Sequence, residues 1–361
     1  MTDISLFIPR MAGGGAEKII LKLSKSLNDR GYDVDLVLVD QSGAYIDEVP
    51  DDVHIVELDA SRTLTTLPKL ALYLRRTSPD SLLTTLNHSN LIAIWAKTLS
   101  RSVTRVLIRQ ANIPSVEAQN TCGLNITHIL MKIFYSWSDQ IIAISEYCRE
   151  DLIENYGANP ESTIKIYNPV DINEIDTLKK ENLEFEIKSQ YHIVAAGRLS
   201  PEKDFETLLR SFYFLSRSVD AELTILGEGE MEENLKKLSN KLEISGRVTF
   251  TGFVSNPYKF MRSADVFVLS SKSEGFGNVL IEAMACETPV VSTNCPGGPS
   301  EILQNGKYGK LVPVGHPKEL YKAISSMLTM PTNGSALRSR AEEFDMNHIV
   351  DEYEEIIMNR C

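Results

Sequence analysis

The chain has few cysteines, scattered histidines and no long apolar run, and each shortage removes a class of protein. Its five cysteines (Cys122, Cys148, Cys286, Cys295 and Cys361) are odd in number, far apart and never in a Cys-x-x-Cys pair. That spacing argues against a disulfide frame or a zinc site and predicts reduced thiols. The six histidines form no His-x3-His and meet no acidic cluster, so no metal and no cofactor are expected. No stretch approaches about 18 uncharged apolar residues, and Met1-Thr2-Asp3-Ile4 runs straight into a strand-like segment, so neither a membrane span nor a signal peptide is expected. A cytoplasmic location follows, where the sequons at Asn87, Asn125 and Asn333 carry no meaning. Internal repeats and low-complexity tracts are missing too. With 43% hydrophobic and 24% charged residues among 361, what remains is a globular chain of two domains.

Positive charge is also short: the net charge of -12 argues against a nucleic-acid partner. Residues 61–138 reverse that balance. Nine cations (Arg62, Lys69, Arg75, Arg76, Lys97, Arg101, Arg105, Arg109, Lys132) against Asp80 and Glu117 give this window +7 and leave -19 elsewhere. The asymmetry suits an anionic partner, the alternative being the solvated face of amphipathic helices.

Short apolar runs alternate with helical stretches, the pattern of parallel α/β architecture. One series has strand candidates from Ile4–Pro9 to Thr163–Tyr167, and a second restarts at His192–Ala196 and runs to Gly309–Val312. The expected division is an N-terminal Rossmann-like domain over 1–171, a charged hinge over 172–190 and a C-terminal Rossmann-like domain over 191–340. A final helix within 341–361 is expected to return to the first domain. Ligands of such sheets bind beyond the strand ends, so functional motifs belong after strands.

Three motifs follow strands. Arg10 to Lys18 is a glycine loop (Gly13-Gly14-Gly15) feeding a helix, explained either by an approaching phosphate or sugar or by a tight turn. Asp40 after the second strand keeps a nicotinamide dehydrogenase or epimerase open. Gly197-Arg198-Leu199-Ser200-Pro201-Glu202-Lys203 sets two cations around a turn, which suits a diphosphate, or is a helix start with incidental surface charge. Finally, Ser273-Glu274-Gly275-Phe276-Gly277-Asn278 to Ala285 holds two carboxylates, Glu274 on a loop and Glu282 in a helix among apolar neighbours. A glutamate there needs a partner, and a ribose diol is one; capping of the helix by Glu274 is the other reading. Asp33-Val34-Asp35 imitates a metal-binding Asp-x-Asp but stands at the start of a strand, so it reads as solvent-side punctuation.

With these motifs in view, the chain resembles the retaining glycosyltransferases of family 4, whose GT-B fold sets two Rossmann-like domains facing across a cleft. The resemblance spans nearly the whole chain. It rests on Gly13 to Lys18, Asn168-Pro169-Val170-Asp171, Gly197-Arg198 with Lys203, Gly252-Phe253-Val254, the Glu274/Glu282 motif and Cys295-Pro296-Gly297-Gly298-Pro299-Ser300-Glu301. It implies a nucleotide-sugar site of Gly14, Gly15, Gly197, Arg198, Lys203, Val254, Glu274, Phe276, Gly277, Asn278, Val279 and Glu282. In that site Glu282 binds ribose, Arg198 and Lys203 hold the diphosphate, and Glu274 contacts the donor sugar. Glu274, Arg198, Lys203 and His88 would serve catalysis, His88 through sugar hydroxyls or, on the other reading, as a loop histidine with local bonds. The implied reaction moves a hexose or N-acetylhexosamine from a nucleotide diphosphate, UDP by expectation, to a lipid- or polyprenyl-diphosphate-linked glycan. One departure is Glu287, where such proteins usually have glycine before Thr288-Pro289-Val290.

Lys69, Arg75, Arg76 and Arg109 are the candidate acceptor or membrane cations. Leu67–Arg76 mixes leucines with cations, and Asn125–Trp137 is apolar and aromatic around Lys132, so both are candidates for peripheral contact with an anionic membrane on its inner face. A core helix is the alternative for the second. A nicotinamide epimerase or dehydrogenase and a catalytically silent sugar-binding protein stay open as rival functions.

Overall fold

The computed structural model describes residues 3–12, 14–60, 63–119, 125–184, 186–330 and 333–358. It divides into two compact units, Met1–Pro169 with Asn347–Cys361, and Val170–Met346. In the first, the runs rich in β-branched and aliphatic residues form β1 (Ile4–Ile8), β2 (Val34–Leu38), β3 (His54–Glu57), β4 (Ser81–Thr85), β5 (Arg105–Gln110), β6 (Gln140–Ala143) and β7 (Thr163–Lys165). They pair in parallel in the order β3-β2-β1-β4-β5-β6-β7. In the second, β8 (Tyr191–Ala196), β9 (Ala221–Leu226), β10 (Val248–Phe250), β11 (Val266–Leu269), β12 (Val290–Thr293) and β13 (Lys310–Val312) pair in parallel in the order β10-β9-β8-β11-β12-β13.

Parallel strands need helical crossovers, which cover both faces and explain why β1, β2 and β4 are buried along their whole length. In the first unit Phe7, Val37, Leu82 and Ile108 pack against Leu70, Leu74, Leu91 and Ile94 from helices Leu67–Thr77 and Asn87–Ser100. Each such buried side chain contributes about 1.5–3 kcal/mol. Both sheets reverse direction once, between β1 and β4 and between β8 and β11, and a crevice opens at such a reversal beyond the strand ends. Among the described residues no helix is long and apolar enough to cross a membrane.

Three expectations change. Residues 172–190 hold a helix, Ile172–Leu178, inside the second unit; the Asp171 side chain caps it by accepting from Glu174 N at 2.9 Å, and Ile172 and Ile175 are buried. The surrounding charges hid that short apolar face. Residues 341–346 stay with the second unit, while helix Met346–Met358 buries Ile349, Val350, Tyr353 and Ile357 in the first. There Ser81 Oγ donates to Ile357 O at 3.1 Å, and Arg30 bonds Asp351 at 2.6 Å and also pairs with Glu354. Asp35 is not at a solvent edge: it is buried, accepting from the Tyr73 hydroxyl and lying 2.8 Å from His54 Nδ1. A carboxylate at that depth needs such partners, which come from β3 and helix Leu67–Thr77 and so are not its sequence neighbours.

In the second unit Arg338 grips Asp176 with both terminal nitrogens (2.7 and 2.6 Å), and Lys179 reaches the same carboxylate at 2.8 Å. Hydrogen bonding from Arg338, then from Lys179, pulls the Asp176 carboxyl from an ordinary 3.8 to about 2. A lowered carboxyl contributes stability above its unfolded value and loses it as pH falls toward its folded one. Arg338→Ala is therefore expected to lower Tm at pH 7 and to flatten the loss of stability between pH 3.8 and about 2. Thermal melts stepped through that window check it, and equal slopes in the two proteins would show that the pair adds nothing.

Candidate functional site

The second unit gathers its charged motifs at the reversal between β8 and β11. The loop leaving β8 carries Gly197, Arg198 and Lys203, and the loop leaving β11 carries Glu274. Lys203 Nζ donates to Glu274 Oε1 at 2.6 Å, and Ser271 Oγ donates to the same oxygen at 2.6 Å. Two backbone ties support the contact: Ser270 Oγ donates to Lys203 O at 2.8 Å and Lys272 N to Glu202 O at 2.7 Å. Glu274 is only 9% exposed, so its charge is stabilised by these donors rather than by water. Its Oε2 accepts nothing from the described residues. Arg198, on the same loop as Lys203, is exposed, and its side chain makes no ion pair or hydrogen bond among the described residues. Ser271 was not singled out in the sequence; it is a buried serine at a strand end, and nothing in its neighbours marks it.

Gly297 fixes the other side of Glu274. It has φ +120, a left-handed backbone, and a Cβ there would lie 1.9 Å from Glu274 O. Glu274 N donates to Pro296 O at 3.0 Å, so the loop over residues 295–298 braces the glutamate through its backbone. Cys295 is buried beside it, and burial, followed by the Glu274 charge, pushes the thiol up to about 12. Phe276 is buried with its ring 5.7 Å from Phe344, Gly277 precedes helix Asn278–Ala285, and Asn278 and Val279 open that helix half-buried. Glu282 follows in the same helix, half-buried, and Val254 is half-buried in the loop after β10.

Helix Asn278–Ala285 ends in a Schellman motif: Thr288 N donates to Ala283 O at 3.0 Å and Glu287 N to Met284 O at 2.9 Å. The residue that must turn left-handed there is Glu287, with φ 64. The glycine usual at that position is thus a conformational requirement, and this chain meets it with a glutamate under strain. Arg338 and Lys179 donate to Ala285 O at 3.1 and 3.2 Å, placing cations at the helix's negative end.

In the first unit Gly14 caps helix Gly15–Asp29 in extended backbone (φ -84), and a Cβ at Gly15 would meet nothing within 4 Å. Neither glycine is there for a left-handed turn; Gly13 lies outside the described residues. His88 is exposed at the start of helix Asn87–Ser100, after β4. Arg109 is not a surface cation: it is 1% exposed, donating to Thr85 Oγ1 at 3.2 Å and to Asn168 Oδ1, so its role as an acceptor or membrane contact is withdrawn. Other cations of the positive window are engaged as well, Lys97 with Asp139, Arg105 with Ile356 O, and Lys69 with Asp59 O. Arg75 and Arg76 are exposed and without an ion pair among the described residues. The apolar segment Asn125–Trp137 is only half core. His128, Met131 and Tyr135 face inward, whereas Ile126, Ile129, Ile133 and Trp137 are 42–64% exposed at helical spacing.

Two family models match the chain in succession, Glycosyltransferase Family 4 over residues 13–174 and Glycosyl transferases group 1 over residues 176–344. Over 353 residues the chain is 30% identical to the N-acetylgalactosamine-N,N'-diacetylbacillosaminyl-diphospho-undecaprenol 4-alpha-N-acetylgalactosaminyltransferase of Campylobacter jejuni, covering 95% of this chain and 94% of that enzyme. It is 24% identical to an uncharacterized glycosyltransferase of Haemophilus influenzae, over 99% of this chain and 100% of that protein. Among solved structures, Anabaena HepE in complex with UDP and glucose is similar with a TM-score of 0.80 at 21% identity, over 99% of this chain and 100% of that one. The apo form of the lipopolysaccharide outer core galactosyltransferase WaaB gives 0.80 at 18%, over 100% of both chains. At such identities these structures speak to the fold alone.

The two special backbones of the site make opposite predictions. Glu287→Gly is expected to stabilise the protein by about 1 kcal/mol through relief of the left-handed strain. Gly297→Ala is expected to destabilise it by about 2 kcal/mol or more, since the added carbon meets Glu274 O. Urea titrations of both variants check the signs.

Proposed function

The chain belongs to the family 4 glycosyltransferases, of GT-B fold, and we propose that it moves a hexose or N-acetylhexosamine from a UDP-sugar to a lipid-linked glycan with retention of anomeric configuration. The observation that carries this reading is the Lys203–Glu274 pair at the β8/β11 reversal, with the unengaged Arg198 on the same loop. The family assignment favours transfer over the nicotinamide alternative.

The chemistry follows from charge. As the bond between the anomeric carbon and the diphosphate oxygen breaks, negative charge grows on the diphosphate. Arg198 supplies a fork of donors and Lys203 a point charge to stabilise it, without a metal. The acceptor hydroxyl forms the new bond to the anomeric carbon on the same face, and its proton passes to the departing phosphate oxygen. No covalent sugar–enzyme intermediate is needed. Glu274, held through Oε1, offers Oε2 to a sugar hydroxyl, while Glu282 takes the ribose diol and His88 a further sugar hydroxyl. The lipid-linked acceptor is supported by the name of the Campylobacter relative, and membrane contact by the exposed Ile126, Ile129, Ile133 and Trp137 stripe together with Lys132, Arg75 and Arg76.

A panel of nucleotide sugars, scored for hydrolysis and thermal stabilisation, tests the donor. Arg198→Ala should lower turnover by about 10²–10³, the scale of one lost charge stabiliser. Glu282→Ala should weaken UDP binding, whereas Glu274→Gln should spare it and lose transfer; matching binding curves would contradict this division. A protein that binds nucleotide sugars but never turns them over would be the silent alternative.

The membrane surface has its own readout. Wild-type protein should float with anionic vesicles, less so as salt rises. Ile129→Glu with Ile133→Glu, and separately Arg75→Glu with Arg76→Glu, should each abolish flotation and leave UDP binding intact. Failure of the wild type to float at low salt would remove this part of the reading.

A further inference from the structure

The second unit holds a cavity of about 380 Å³ where the turn after helix Ile172–Leu178 meets helix Tyr258–Ser263. Four cations line it, Lys179, Lys180, Lys259 and Arg262, against one carboxylate, Glu181. Its wall is fixed through backbone: buried Asn256 donates from Nδ2 to Leu178 O at 2.9 Å, and Glu181 N donates to the same oxygen at 3.2 Å. The cations are held to different degrees. Lys179 reaches Asp176 at 2.8 Å and Ala285 O at 3.2 Å, so its ammonium is largely used. Lys259 is only 13% exposed, yet its partners are two exposed carboxylates, Glu184 at 3.4 Å and Glu181 at 4.0 Å. Lys180 and Arg262 are exposed, and their side chains make no ion pair or hydrogen bond among the described residues.

Cations near helix C-termini ordinarily serve the carbonyls left unpaired there. Here those carbonyls have other donors. Leu178 O has the two just named, Met261 O accepts from Thr288 Oγ1 at 2.6 Å and from Ala264 N at 3.1 Å, and Phe260 O accepts from Ser263 Oγ at 2.8 Å. Capping therefore does not account for Lys180 and Arg262. Three cations with N–H groups to spare suit a phosphate monoester better than a carboxylate. The monoester brings up to two charges and three terminal oxygens, two of which match the arginine fork while the lysines supply point charges. Such a ligand also outcompetes the distant, solvated carboxylates now facing Lys259. The volume falls within the roughly 300 to 1,000 Å³ of ligand pockets and leaves room, beside Leu183, for a small group carried on the phosphate.

We propose that this cavity binds a phosphate monoester, its phosphate held by Arg262, Lys180 and Lys259 and its organic group set against Leu183. The site is separate from Arg198 and Lys203 and does not depend on the glycosyltransferase reading. Free phosphate esters and the headgroup of phosphatidate share this chemistry, so both are used as probes. Calorimetry on the full chain tests the site with glycerol 3-phosphate and with dihexanoyl phosphatidate below its micelle concentration, in excess UDP so that the donor-site cations are occupied. Glycerol 3-phosphate should bind, one molecule per chain, and more weakly as salt rises. Lys180→Ala with Arg262→Ala should weaken it about tenfold or more, the scale of lost hydrogen bonds to a charged group, at an unchanged Tm. Lys259→Ala should weaken it as well. UDP affinity, titrated first on the same samples, should not move in the variants and tests the donor reading separately; if UDP fails to bind, the titrations run without it and the double variant still isolates this cavity. Tighter binding of dihexanoyl phosphatidate than of glycerol 3-phosphate identifies a lipid headgroup as the ligand, and equal or weaker binding identifies a free ester. No heat from either probe, or an affinity unchanged in the double variant, overturns the site.

Discussion

A carboxylate buried at the reversal of a parallel sheet is unstable unless something nearby compensates it, and the second unit is arranged around that need. Lys203 and Ser271 both reach Glu274 Oε1, from the β8 loop and from the glutamate's own loop. The strand order makes this meeting unavoidable, because β8 and β11 are adjacent only where the sheet changes direction. Removing either donor would leave a buried charge short of partners, which is far more damaging than the pair is stabilising. The same constraint explains Gly297, since the loop that braces Glu274 from the other side has no room for a side chain.

The helix that carries Glu282 is held at both ends by different physics. At its start Gly277 takes φ 104, a left-handed backbone that turns the chain into the helix without a side-chain cap. At its end a Schellman turn and two cations on Ala285 O absorb the negative pole. Arg338 joins this end to Asp176, so helix Ile172–Leu178 and the helix that carries Glu282 share one electrostatic clamp. Strain at Glu287 is tolerated because this clamp and the Schellman bonds determine the turn independently of the residue type.

Much of the fold was legible in the sequence because it depends on local runs. All thirteen strands among the described residues arise from short β-branched or aliphatic segments such as Val34–Leu38 and Val266–Leu269, and the charged motifs sit after them. What stayed hidden depends on partners distant along the chain. Asp35 is buried against Tyr73 and His54, and Arg109 is buried with its terminal nitrogens on Thr85 and Asn168, so a surface reading of either residue type was wrong. Ser271 has no sequence signature at all, because serines occur everywhere and only geometry selects it. The helix Ile172–Leu178 was missed for a different reason: its two buried isoleucines are too few to stand out among charges.

The first unit is discontinuous, closed by helix Met346–Met358 after the second unit has intervened. During synthesis, then, the second unit is complete on the ribosome before the first. The N-terminal sheet must wait, with Ser81, Arg105 and Arg30 lacking the partners they find on the last helix. The order of maturation is thus inverted relative to the usual N-to-C progression of multidomain chains. Until helix Met346–Met358 has been made, the surface that Ile349, Val350, Tyr353 and Ile357 cover stays open to water, so the first unit cannot complete its core before the second has been synthesised.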